Sequence, residues 1–330
     1  MEHNNLNNLQ IAIQAAQSGV AIYDSSHWGK IVVSDRDRLR FLHNQSTADF
    51  EKRQVGEGCD TVFVTSTART IDLATGLILD DEVLLIVSPN RREYLFNWLD
   101  RYIFFADRVQ LKDVTDSLAS FTIIGTESAG ILAQLGSPQL TDLPVHSHQL
   151  VNIDGVEFRI AIGTELGLPG YRLIGDRAKS AALREAIANL GAVTLTEDAW
   201  ECLRIDRGRP KPDAELTEDY NPLEVGLWDT ISFSKGCYIG QETIARLNTY
   251  QGVKQYLWGI KLAGNTSAGT AITVDGDKVG VLTSCMEVDG EIRGLGYVRS
   301  KAGGVGLKVM VGDVDGEIID LPFVRHEYPL

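Results

Sequence analysis

Hydrophobic and polar positions predict helices alternating with short strands as far as residue 250, then strands alone. Leu6, Leu9, Ile13 and Ala16 recur at helical spacing until Gly19 ends the pattern, so an amphipathic helix opens the chain. The apolar runs 20–23 and 31–33, bounded by turn residues, read as strands. Ser34 is placed to cap a helix from Asp35, with Leu39 and Leu42 facing inward. Residues 61–65 and 83–87 read as strands, and Asn90 is placed to cap a helix over 91–105. A strand at 121–125, a helix at 128–135 and a linker at 138–148 follow. Asp154-Gly155, between Val151 and Phe158, reads as a tight hairpin turn. Asp176 is placed to cap a helix over 177–190, and another helix spans 198–207. Lys235-Gly236 breaks the chain before a helical stretch at 241–247, where Ile244 and Leu247 share an apolar stripe. Short strands at 256–262, 270–274, 278–282, 294–298, 308–311 and 317–320 then alternate with Gly, Asp and Asn turns. That pattern predicts a small all-β barrel or sandwich.

A chain of 330 residues exceeds one ordinary core, so two or three domains are expected. No apolar run approaches the ~20 residues needed to span a bilayer. The start, Met1 to Asn5, has neither the basic nor the apolar region of a signal peptide. Four scattered cysteines (59, 202, 237, 285) form no C-x-x-C pair. Their spacing argues against a zinc ribbon, a permanently held iron–sulfur cluster or a disulfide scaffold, and fits a reducing cytoplasm. A net charge of −14 repels phosphate backbones, which excludes nucleic acid as a main partner. The positive charge is clumped at Arg204, Arg207, Arg209 and Lys211, a knot that either receives an anionic small molecule or forms a solvated turn. His146 and His148 lack nearby ligand partners in sequence and read as a solvated loop, so no metal site is expected.

The stretch with the most chemistry is Lys235-Gly236-Cys237-Tyr238-Ile239-Gly240-Gln241-Glu242. A cysteine beside a lysine at a helix start is biased toward thiolate; the plainer reading is a small buried cysteine in a glycine-bounded turn. The octapeptide resembles the K-G-C-F/Y-x-G-Q-E signature of the YgfZ family, folate-binding relatives of the glycine-cleavage T-protein. Weaker similarities follow in the same order along the chain. Segment 41–49 (Phe-Leu-His-Asn-Gln-Ser-Thr-Ala-Asp) is similar to a segment near the start of both families, with His43 read as an ordinary surface or half-buried histidine. Asp72 stands where T-proteins resemble one another in an acidic pair, but Leu73 takes the second position. Segment 163–173, which includes Glu165, resembles a T-protein strand entry. In 203–210, Asp206 stands where the family has a glutamate that grips two adjacent pterin N–H groups, and Asp206 is one methylene shorter. Segment 221–227 resembles the x-P-x-E-A-G-L stretch that precedes the T-protein lysine.

The resemblance implies an α+β fold, a three-domain T-protein-like ring ending in a small β-barrel domain. Its expected divisions are 1–115, 116–250 (able to interleave with the first) and 251–330. It further implies tetrahydrofolate as cofactor, with iron–sulfur client or assembly proteins as partners and no membrane. The implied catalytic residues are Cys237, Asp72 and Lys235; the implied folate contacts are Asp206, Arg204, Glu165, Tyr238, Gln241 and Glu242. Three functions remain open: a folate-dependent accessory factor for iron–sulfur enzymes, an aminomethyl- or methyl-transferase, and a scaffold that kept the fold without the ligand.

Overall fold

The computed structural model describes residues 2–136, 140, 143–288 and 290–328, with side chains described from residue 8. Leu6 therefore lies outside the described side chains, as does most of the N-terminal half of the expected 138–148 linker. The chain divides into two compact units: 1–43 with 48–61 and 74–200, and 44–47 with 62–73 and 201–330. Among the described residues no helix is long and apolar enough to cross a membrane.

In the first unit, helix α1 (Glu2–Ser18) buries Ala12, Ile13 and Ala16 and stops at Gly19, as its stripe predicts. Strands β1 (Ala21–Asp24) and β2 (Gly29–Ser34) follow. The next helix, α2 (Arg38–Gln45), begins later than expected. Ser34 ends β2 rather than capping a helix, and Asp35 takes the left-handed conformation (φ 76°), so the chain turns once more before it can wind. Strands β3 (Gly58–Val64), β4 (Thr70–Ile78) and β5 (Glu82–Val87) come next. The division between the units falls inside β3 and β4, whose residues 62–64 and 70–73 count with the second.

The helix expected over 91–105 is shorter. A 3-10 turn at Pro89–Arg91 leads into α3 (Arg92–Asp100), so Asn90 lies inside that turn and Arg91 stands at the N-cap position of the helix. Pro89 has its angle preset for the first position of that turn, so the turn starts there instead. Phe104 and Phe105, which extend the apolar pattern, lie past the helix and are exposed. Strands β6 (Gln110–Asp113) and β7 (Leu118–Ile124), helix α4 (Ser128–Gln134), then β8 (His148–Ile153), β9 (Val156–Ile162) and β10 (Gly170–Asp176) continue the unit. Asp154 and Gly155 both have positive φ, the two-residue turn that matches strand twist. Asp176 caps a 3-10 turn through its bond to the Ala178 N–H, ahead of α5 (Ala181–Asn189) and β11 (Val193–Thr194). The two sheets run β11-β1-β7-β10-β9-β8 and β3-β4-β5-β2-β6. Phe121, Ile123, Phe158, Ile160 and Leu173 form the core beneath the first.

His148 opens β8 instead of ending a solvated loop, and it is buried. Its Nδ1 accepts from Arg159 Nη1 at 2.8 Å, which requires a neutral ring. Burial, helped by the Arg159 charge, pulls its pKa from 6.5 to about 4. Between those two values the unfolded chain binds a proton that the folded chain does not, so stability is lost as pH falls from about 6.5 toward 4. Urea midpoints across that range should show a loss of roughly 3 kcal/mol that His148→Gln removes. A wild-type slope equal to that of the variant would sink this assignment.

In the second unit, helix α6 (Glu197–Arg207, whose last residues belong here) leads to the short α7 (Pro222–Val225) and to α8 (Gln241–Thr249). Asn221 caps α7, and the Glu224 carboxylate accepts in return from the Asn221 backbone N–H. Strands β12 (Gln255–Leu262), β13 (Ala271–Val274), β14 (Asp277–Val288), β15 (Glu291–Arg299), β16 (Lys308–Val311) and β17 (Val314–Ile319) close into a barrel, β12-β15-β14-β13-β16-β17. Strand β14 is much longer than the expected 278–282. β12 lies beside β15, the strand three places on, a Greek-key connection. Trp258, Ile260, Leu282 and Val309 fill the barrel. The α+β fold with a C-terminal barrel is as the sequence predicts.

Candidate functional site

The stretch 232–240 is held at three levels by residues 44–47, the part of segment 41–49 that belongs to the second unit. Ser232 N–H donates to Thr47 O at 3.0 Å, Lys235 Nζ to Ser46 O at 2.7 Å, and Ile239 N–H to Asn44 O at 3.0 Å. Thr47 is itself fixed: its hydroxyl donates to Thr230 O and accepts from Val62 N–H. These bonds satisfy backbone groups that a loop packed against protein cannot leave unmade. The Lys235 ammonium also sits 4.5 Å above the Tyr238 ring, so Lys235 is buried as a tether. Burial raises the Tyr238 phenol above its ordinary pKa.

At Gly240 the chain is left-handed (φ 80°), and a Cβ there would lie 2.9 Å from Thr65 O. Only glycine fits that approach without strain. Between the anchors at 235 and 239, Gly236 and Cys237 are exposed. Of the four cysteines, Cys59 and Cys202 are buried, Cys285 is half-buried and Cys237 is exposed. It precedes α8, which opens at Gln241 with Glu242 in its first turn. Lys235, Cys237, Tyr238, Gln241 and Glu242 are thus gathered on one loop and helix start.

The other expected residues lie on different elements. Asp72 is fully buried on β4. Its neighbour Leu73 packs in an apolar core with Val62, Val64 and Leu295, which explains why a second acid does not stand there. Glu165 belongs to the first unit, where its buried carboxylate accepts from Arg172 Nε at 2.8 Å and from the Thr122 hydroxyl. Arg204 has no side-chain exposure. Its five N–H groups go to Glu201 (two), Arg209 O, Glu215 and Ser284 Oγ, leaving none for a ligand. Lys211 also pairs with Glu201, and Arg209 lies 5.5 Å over the Phe323 ring, so much of the basic knot is internal structure.

Asp206, in the last turn of α6, forms an ion pair through Oδ1 with Nη1 of Arg293 from β15. Among the described residues its Oδ2 accepts no hydrogen bond. A pterin's adjacent N–H donors fit that oxygen, and fit the whole carboxylate once Arg293 moves; they do not fit Arg204. The sequence reading missed the braces at Asn44 and Ser46 because they act through backbone carbonyls. It missed Arg293 because that residue lies far along the chain and carries no local signal. Among the described residues no cluster of three or more His, Cys, Asp or Glu is placed to hold a metal ion.

The family model of the GCVT N-terminal domain matches residues 7–235. The chain is 42% identical over 322 residues to "Putative transferase At1g60990, chloroplastic" of Arabidopsis thaliana, covering 96% of this chain and 74% of that one. It is 27% identical over 324 residues to an aminomethyltransferase of Halothermothrix orenii, covering 94% and 90%. Its fold is similar to that of the glycine cleavage system aminomethyltransferase T from Bartonella henselae, with a TM-score of 0.84 at 19% identity over 97% of this chain and 90% of the other. With the barrel, the α+β units and that length of match together, the chain belongs to the GCVT N-terminal domain family, the superfamily of the glycine-cleavage T-protein.

Proposed function

We propose that the chain is a tetrahydrofolate-binding accessory protein of the YgfZ type, assisting the assembly or repair of iron–sulfur enzymes through the thiol of Cys237. One observation carries this reading: Cys237 is the exposed cysteine, on a loop fixed on both flanks by Ser46 and Asn44. A group held in one place and open to solvent suits reaction with a partner. Asp206 would hold the pterin, and Tyr238 and Gln241, on the same loop and helix start as Cys237, would line the approach to the thiol. Partners would be the folate and iron–sulfur client or assembly proteins, and the three-part division at 115 and 250 goes with this reading.

A second reading, aminomethyl- or methyl-transfer to folate, is favoured by the similarity to aminomethyltransferases over nearly the whole chain. Leu73 in the place of an acid weighs against it. The scaffold reading draws on the ion pair that already occupies Asp206.

Calorimetric titration with tetrahydrofolate separates the scaffold from the other two readings, and assays of repair and transfer separate those. Wild type should bind, and Asp206→Ala should bind roughly tenfold more weakly or worse, since each charge-assisted bond contributes ~1.5–3 kcal/mol. Cys237→Ser should bind folate as wild type does but fail to restore a damaged iron–sulfur enzyme. Formation of 5,10-methylene-tetrahydrofolate from an aminomethyl donor, abolished in Asp72→Asn, would establish the transferase instead. No folate affinity in wild type would leave the scaffold.

A further inference from the structure

Arg293 stands between two carboxylates. Its Nη1 donates to Asp206 Oδ1, and its Nη2 to Glu291 Oε2 at 3.3 Å. Glu291 in turn receives Lys261 Nζ from β12, so the charges run from the end of α6 across the barrel wall. The Asp206 side chain is 14% exposed, Arg293 33% and Glu291 40%. Arg293 thus has a second acceptor ready if it leaves Asp206, and that acceptor is in water-rich surroundings where little rearrangement is needed. A guanidinium can shift its fork between such partners by rotating its terminal torsions, without backbone motion.

We infer that Arg293 is a latch that competes with folate for Asp206; this rests on the folate reading of Asp206 given above. With no ligand, Arg293 covers Oδ1 and keeps the carboxylate from standing half-buried and unpaired. When two pterin N–H groups approach, Arg293 moves wholly onto Glu291 and both oxygens of Asp206 become acceptors. The apparent affinity is then the intrinsic affinity reduced by the fraction of molecules with the latch open. Such a latch sets specificity as well: a ligand offering one donor can be served by Oδ2 alone, whereas only one offering two donors gains from displacing the guanidinium.

The test is calorimetric titration with tetrahydrofolate of wild type, Arg293→Gln, Arg293→Lys and Glu291→Gln. Arg293→Gln should bind roughly fivefold more tightly, the factor expected for a partly exposed ion pair that no longer competes. Glu291→Gln, which deprives Arg293 of its second position, should bind more weakly than wild type, while Arg293→Lys should stay close to wild type. The opposite directions of two single changes keep the result from being a general loss of stability. Weaker binding by Arg293→Gln would make Arg293 a folate contact and overturn the latch, as would unchanged binding. If wild type fails to bind but Arg293→Gln binds, the latch stands; if neither binds, the folate reading itself is wrong and the latch falls with it.

Discussion

Replacing Arg204 by methionine is expected to lower folding stability by about 3–5 kcal/mol, the range for removing one partner of a buried ion pair. Arg204 and Glu215 both have side chains with no exposure, and their atoms lie 3.0 Å apart. Burial pushes the guanidinium pKa down, but the carboxylates of Glu215 and Glu201 outweigh it and hold the group charged. Without the guanidinium, Glu215 Oε2 keeps only the Lys211 backbone N–H, and Oε1 the hydroxyls of Thr283 and Ser284. Those donors do not balance a full charge in the interior. The loss should appear in urea unfolding, and adding Glu215→Gln to Arg204→Met should recover part of it, because the stranded charge is then gone. Folate binding discriminates between two roles for this residue. If Arg204 were a ligand contact, Arg204→Met would weaken binding while leaving the unfolding midpoint within ~0.5 kcal/mol of wild type. That outcome would refute the internal network.

Local signals carried the fold well where they were strong and self-contained. The opening helix and its stop at Gly19, the Asp154-Gly155 hairpin and the existence of the barrel strands, though not the length of β14, follow from periodicity and turn chemistry. Helix starts were less legible. Asp35 adopts a left-handed conformation that sequence does not announce, and Pro89 began a 3-10 turn ahead of the expected cap at Asn90. At the candidate site, the octapeptide singled out a loop whose cysteine is exposed. What the pattern could not convey is which charges look inward. Arg204 and Lys235 resemble ligand-facing cations in sequence, yet each is satisfied by protein acceptors, Lys235 by a carbonyl 189 residues away. Segment 41–49 was recognisable, but its purpose as a brace depends on backbone oxygens, which no side-chain pattern encodes.

Gly240→Ala is the other large effect to expect, a loss of about 2–5 kcal/mol that originates in the loop carrying the thiol. An alanine at φ 80° stands in a conformation that costs an L-residue roughly 1–2 kcal/mol. Its Cβ would also lie 2.9 Å from Thr65 O, 2.9 Å from Val64 Cγ2 and 3.1 Å from Ala68 Cα. Two of those three atoms are backbone, so the loop must move rather than a side chain, adding about 1–3 kcal/mol of overpacking. One residue before the strain, Ile239 N–H donates to Asn44 O, and native-state hydrogen exchange at that amide should quicken markedly. Cys237→Ser, by contrast, changes an exposed atom and should leave stability within ~0.5 kcal/mol of wild type. The pair separates position from chemistry. In Gly240→Ala the thiol remains open to alkylation, yet it is no longer held where Ser46 and Asn44 placed it; under the accessory-factor proposal, support of an iron–sulfur enzyme should therefore fall while alkylation persists. In Cys237→Ser both should vanish with the fold intact. A Gly240→Ala protein as stable as wild type, with unchanged exchange at Ile239, would mean that the loop is not braced as described and that the exposure of Cys237 alone has to account for its role.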